Sequence, residues 1–228
     1  MSSKKGSTDL ATIKANLHKC HPETRENSFH IMASSDSIMS NSLYLLQIMR
    51  YAMDKMDASL ADSIINGQTK GGDTPLHFAV IKQNAETLRG MVTSGARVNV
   101  INVHGKTPLH TLLAFVPRYG QNILIADWIR EADELYAKVK ALLEPRQPRD
   151  RYYKRFANAA LPFRTDKDKA GNTIFALALR NRFVTAKLTV YLIEKFGPAM
   201  QDFDIQDLNR QSMDIIGVET QLRAHGFL

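Results

Sequence analysis

The chain has a single cysteine among 228 residues, so no internal disulfide framework can hold it together. A lone thiol suits a reducing compartment, and the expected setting is intracellular and cytoplasmic, or the cytosol or nucleus of a host cell if the chain is exported or viral. No apolar run approaches the roughly 20 residues that a membrane helix needs, so no membrane span is expected. The first residues, Met1-Ser2-Ser3-Lys4-Lys5-Gly6-Ser7, lack the apolar stretch of a secretory signal, which leaves export by other routes open. There is no glycine-rich phosphate loop, no His-Glu-x-x-His and no nucleophile elbow. The expectation is a protein without enzymatic activity, cofactor or metal.

One short run carries suggestive chemistry. In His18-Lys19-Cys20-His21 a thiol lies beside two imidazoles. Such a thiol can act as a nucleophile, and the three side chains can supply part of a zinc site. A fourth ligand at the usual spacing is missing, and sequence neighbours in an irregular segment seldom converge. Neither role is expected.

What the chain does have is oil and positive charge. Hydrophobic residues make up 44%, enough for a sizeable core. The net charge of +7 favours acidic partners, whether protein, nucleic acid or anionic lipid.

A repeat organises these residues. Gly72-Asp73-Thr74-Pro75-Leu76-His77-Phe78-Ala79 is followed 33 residues later by Gly105-Lys106-Thr107-Pro108-Leu109-His110-Thr111-Leu112. Each motif residue has a mechanical reason. Glycine permits the positive φ of a tight turn before a helix. Threonine can cap the helix start, and proline suits the first helical position, where a missing N–H costs nothing. Leu76, Ala79 and Val80 then face inward. Asn84 can cap a second helix with Leu88, Met91 and Val92 inside, and Gly95 can close it.

This tandem pattern resembles the ankyrin repeat family. The resemblance implies an all-α solenoid of about four to five helix-turn-helix units with hairpin loops, a long helix and a basic insertion in its middle. It also implies that His77 and His110 tie one repeat to the next. A divergent unit follows at Asp168-Lys169-Ala170-Gly171-Asn172-Thr173-Ile174, two whole periods after Gly105. Between them a second helix runs from Gln121 to about Leu143. Its apolar stripe comprises Ile125, Trp128, Ile129, Ala132, Leu135, Val139 and Leu142. At about 30 Å its far half is expected to project beyond the stack or pack on the insertion. Asp127, Glu131, Asp133 and Glu134 are expected on its solvated face. One repeat with a long insertion, rather than an additional degenerate repeat, is the preferred reading of the doubled period.

At the ends the pattern weakens. Shifting by one period aligns Asn41-Ser42-Leu43-Tyr44 with the motif, as a degenerate first repeat with Leu43, Leu46, Ile48, Met49, Met53 and Met56 as core or capping residues. At the other end Asn209 is read at the glycine position of a closing repeat. Residues 1–36 are expected to be an extension, partly disordered or packed on the first repeat. Residues 37–228 form the repeat domain, with the insertion at about 144–165.

The family binds macromolecules through a concave face, at positions that vary around each motif. Carried over, these are Lys70, Gly71, Asp73, Phe78, Ile81 and Lys82 in one repeat. In the next they are Val103, His104, Lys106, Thr111 and Phe115, and in the third Lys169, Asn172, Leu177, Arg180 and Asn181. The resemblance implies a monomeric adaptor for a protein with an acidic surface and apolar anchors. The family's range covers signalling proteins, viral host-modulating proteins and bacterial effectors sent into host cells. A second reading concerns the insertion, which carries net charge +5 between Pro145 and Thr165. Arg146, Arg149, Arg151, Tyr152, Tyr153, Lys154 and Arg155 interleave cations with aromatics, as binding of nucleic acid or anionic lipid requires.

Overall fold

Two Thr-Pro pairs launch the central helices. Thr74 and Thr107 are extended, with ψ of 165° and 168°, and Pro75 and Pro108 take the first helical positions. The chain is described by a computed structural model covering residues 16–17, 19–35, 39–117, 123–144, 167–196 and 208–228. Ten helices and no strand occur among these residues: α1 Ser28–Ser34, α2 Met39–Lys55, α3 Ala58–Ile65, α4 Pro75–Lys82, α5 Ala85–Thr93, α6 Pro108–Ala114, α7 Ile125–Leu143, α8 Ile174–Arg180, α9 Ala186–Phe196 and α10 Ile215–Ala224. An inner row stacks α1 on α4, α4 on α6 and α6 on α8, while an outer row runs α2, α5, α7, α9, α10. The core lies between the rows and holds Phe29, Leu76, Ala79, Leu88, Met91, Leu109, Val139, Leu142, Leu179 and Leu192.

Hairpins fix the register. The N–H groups of Lys70, Val103 and Lys169 donate to the carbonyls of Thr24, Gly71 and His104, each at 2.9 Å. Gly72, Gly105 and Gly171 turn these hairpins at φ of 77°, 73° and 81°. Arg25 holds the equivalent place at φ 62°, and it is the one non-glycine residue with positive φ among the described residues. The hairpin of Lys169 pairs directly with that of His104, and α8 packs directly on α6. No repeat intervenes between them.

The first repeat differs from its expected register. Its motif is Asn27-Ser28-Phe29-His30: the Asn27 side chain accepts from the N–H groups of Phe29 and His30, and Phe29 is fully buried. This unit lies in the stretch that the sequence pattern assigns to the extension 1–36. Residues 41–44 instead fall inside α2, where Leu43 is 58% exposed and not core. The outer helix α2 and the additional helix α3 lengthen this repeat beyond the 33-residue period, so a shift by one period aligns the wrong helix. Met49 and Met56 are buried, and Leu46 and Ile48 pack partly against the core.

The long helix α7 is also inverted from expectation. Its far half is the buried one, with Val139 and Leu142 fully covered, and it packs on α5 and α9. The near end is open: Ile125 is 67% and Ile129 49% exposed, so the stripe narrows there to Trp128 and Ala132. Trp128 is held because its Nε1–H donates to the Arg182 carbonyl at 2.9 Å.

Inner helices end in carbonyls that the following repeat satisfies. The buried Gln83 amide donates to Ala33 and Ser35, and the buried Asn181 amide donates to Leu113 and Phe115 at 2.9 and 3.1 Å. Asn209 donates its backbone N–H to Leu179 and its amide to Arg180. It therefore stands where Asn181 stands, at a turn into an outer helix, and not at the glycine position; its φ is not positive. Asn181 is 1% exposed and is an internal cap, not a contact residue.

For α4 the partner is a lysine. Lys138 of α7 reaches the Val80 carbonyl at 3.4 Å, where a cation suits the negative helix end. Burial pushes its ammonium down from the ordinary lysine range, and Glu134 at 3.9 Å opposes that push. Glu134 in turn accepts from the Ala85 N–H at the start of α5, so this partly exposed side chain serves as a cap between helices. Asp214 does the same for Ala186 at the start of α9.

Two predictions follow from this stitching. Asn181→Ala strands the buried Leu113 carbonyl, the part-buried Phe115 carbonyl and the buried Phe183 N–H, and urea unfolding should show a loss of about 2–3 kcal/mol. A methyl group at Gly72 would meet Asn102 Cα and Val103 N at 2.9 Å, whereas one at Gly171 meets nothing within 4 Å. Gly72→Ala should therefore lower the melting temperature clearly more than Gly171→Ala, which carries only the backbone cost of about 1–2 kcal/mol.

Candidate functional site

The inner row and its hairpins bound a groove. The residue four past each helix cap points across its floor: Ile31, Phe78, Thr111 and Leu177, from α1, α4, α6 and α8. Ile31 is 61% exposed, Phe78 and Thr111 are half-buried, and Leu177 is nearly covered. Between α1, α4 and α6 the floor deepens into a pocket of about 280 Å³ lined by Ser34, Asp73, His77, Phe78, Ile81, Lys82 and Thr111. Five residues singled out from the sequence thus share one cavity. Thr111 Oγ1 is buried there with no hydrogen-bond partner. A smaller neighbouring cleft of about 70 Å³ places Phe115 beside Ile81 and Pro117.

The lip residues hold their places through backbone bonds. Lys70, Val103, His104 and Lys169 build the hairpin ladder, and all four are exposed. The Asp73 carboxylate accepts from Asn102 Nδ2 at 2.8 Å. Asn172 Nδ2 donates to the Asp168 carboxylate, and exposed Arg180 donates to Asn172 Oδ1. Asp168 is held below the usual carboxylate range: burial pushes it up, but the N–H groups of Asn172 and Ala170 and the Asn172 amide outweigh that.

Histidines tie floor to lip. The Thr74 N–H donates to His77 Nδ1 at 3.0 Å, so the proton must sit on Nε2, which donates to the Lys106 carbonyl at 3.0 Å. His30 repeats the device: the Asn27 N–H donates to its Nδ1 at 3.1 Å, and Nε2–H donates to the Asp73 carbonyl at 3.0 Å. Thr107 and His110 form the same cap. The His30 ring meets Phe78 edge-on at 5.6 Å, so the first repeat braces the pocket. Burial pushes His30 and His77 below the ordinary imidazole range.

The sequence pattern missed Ile31 and Ser34 because it missed the first repeat. The available signal was chemical: Asn27 can cap as threonine does, and His30 follows at the spacing of His77 from Thr74. Arg146, Arg149, Arg151, Tyr152, Tyr153, Lys154 and Arg155 lie outside the described residues. Cys20 is exposed, and no cluster of three or more His, Cys, Asp or Glu side chains among the described residues can hold a metal.

Comparisons with known proteins agree on the architecture. The Ankyrin repeat family model matches residues 71–103. The Nuclear factor NF-kappa-B p105 subunit of Gallus gallus is 31% identical over 91 residues, 37% of this chain. The matched region is 9% of that relative's length. Among solved structures, the ankyrin repeat domain of Bcl-3, a member of the IkappaB protein family, superposes with a TM-score of 0.53 at 18% identity, covering 90% of this chain and 73% of that one. That likeness concerns the fold alone.

Neutral histidines make stability depend on pH. The unfolded chain takes up protons near 6.5 that folded His30 and His77 refuse. Their contribution is present above 6.5 and is lost as pH falls below it. The urea midpoint should drop between pH 7.5 and 5.5, and His77→Gln should flatten that slope.

Proposed function

We propose, from the premise that this chain belongs to the ankyrin-repeat family, that it is a non-enzymatic adaptor gripping a partner protein in its concave groove. The repeats form a protein–protein interaction scaffold, and no described helix is long and apolar enough to cross a membrane. The observation that carries the finer reading is the pocket between α1, α4 and α6. It joins half-buried apolar side chains, Phe78 and Ile81, to a cation, Lys82, and to the orphan hydroxyl of Thr111. Desolvated apolar anchors of this kind supply most of the energy of an interface, and surrounding charge supplies steering. Lys70, Val103, His104, Lys106, Phe115, Lys169, Asn172 and Arg180 extend the contact surface along the hairpins. On this reading the partner offers an acidic surface with apolar anchors. The chain works as a monomer inside a cell, as a signalling regulator or a host-targeted effector.

Capture of partners from a cell lysate tests this. The unaltered chain should retain one or a few proteins. A chain with Phe78→Ala, Lys82→Glu and Lys106→Glu together should lose them while circular dichroism shows it still folded at the temperature of the capture. Equal retention by both chains would reject groove binding.

A further inference from the structure

The groove is not uniform along the stack. Over the first two repeats the residue after each hairpin turn is acidic, Glu26 and Asp73, the cations Lys70 and Lys82 stand beside them, and the floor is apolar, with Ile31, Phe78 and Ile81. Over the next two repeats that lip position becomes Lys106 and Asn172, flanked by exposed Lys167, Lys169 and Arg180. The carboxylate of this half, Asp168, is 4% exposed and is occupied by the N–H groups of Ala170 and Asn172. The floor there offers Thr111 and the buried Leu177. One end of the groove therefore offers an apolar pocket with charges of both signs around it, and the other a lip whose exposed charges are positive.

We infer that the groove takes a single extended segment of its partner in one register. A bulky apolar side chain seats in the Phe78–Ile81 pocket, and carboxylates farther along the same segment lie against Lys106, Lys169 and Arg180. This rests on the adaptor reading and adds the order of the partner's chemistry. A nucleic acid fits the groove less well, because its uniform backbone charge would run past Glu26 and Asp73. The register follows from complementarity: reversing the segment takes the apolar side chain out of the pocket and leaves Lys106, Lys169 and Arg180 facing apolar groups instead of carboxylates, so both sets of favourable contacts are lost.

The test uses the full chain and fluorescently labelled synthetic peptides of identical composition. Two peptides carry a phenylalanine–leucine block joined to a glutamate block, in the two possible orders; a third interleaves the same residues; an oligodeoxythymidine of matched charge is the fourth probe. Anisotropy titrations should show one block order binding about tenfold or more tighter than the interleaved peptide. Added salt should weaken that preferred peptide. The preference should vanish in the Phe78→Ala, Ile81→Ala pair and separately in the Lys106→Glu, Lys169→Glu pair, each checked by circular dichroism to be folded at the temperature of the titration. The inference is overturned if the interleaved peptide binds as tightly, if no peptide binds, if either pair leaves the preference intact, or if the oligonucleotide binds as well as the preferred peptide. The two readings fail separately. Loss of peptide preference with a groove-dependent lysate partner removes only the ordered segment, whereas a partner retained after the groove substitutions removes the adaptor reading itself.

Discussion

Every repeat leaves backbone groups at its edge that only its neighbour can satisfy. A buried carbonyl without a donor costs about as much as a hydrogen bond contributes, so a single helix pair of this kind is poorly stable alone. Here the debt is settled at three levels. Hairpin N–H groups meet hairpin carbonyls, histidines meet the next lip, and Gln83, Lys138, Asn181 and Asn209 meet the ends of inner helices. Apolar burial supplies the cohesion, while these bonds set the register in which burial occurs.

The groove is a consequence of that stitching. The caps at the helix ends hold the inner helices side by side, and the hairpin ladder holds the lips beneath them. Side chains four residues past each cap line the groove floor and range from exposed Ile31 to buried Leu177, so they bear less of the stitching than the caps do. Over the same stretch the lip passes from Glu26 and Asp73 to Lys106 and Asn172. His30 links the two roles, since the ring that bonds the Asp73 carbonyl also braces Phe78.

The third repeat shows how a departure from the pattern is absorbed. Ten residues separate α6 from α7, where five separate α8 from α9. Lys138 crosses from the outer row to the Val80 carbonyl, and Glu134 one turn earlier meets Ala85. Read on α7 alone these two residues look like a solvated ion pair. Their role depends on what lies across from them, and a one-dimensional period does not contain that.

Residues 69–116 carried their own fold in plain view. Gly72, Thr74 and Pro75 each act through local backbone geometry, and the 33-residue spacing placed the next copy in register. The family resemblance named Asp73, Phe78, Ile81, Lys82 and Thr111, and these five line one cavity. Tertiary structure alone decided the rest. It chose Asn27-Ser28-Phe29-His30 over residues 41–44 as the first motif, since α2 and α3 stretch that repeat and spacing stops being a guide. It turned the far half of α7 inward and gave Asn181 and Asn209 to the stack as caps. Burial and inter-repeat hydrogen bonding depend on which surfaces meet, and that is settled only when the whole row of helices is assembled.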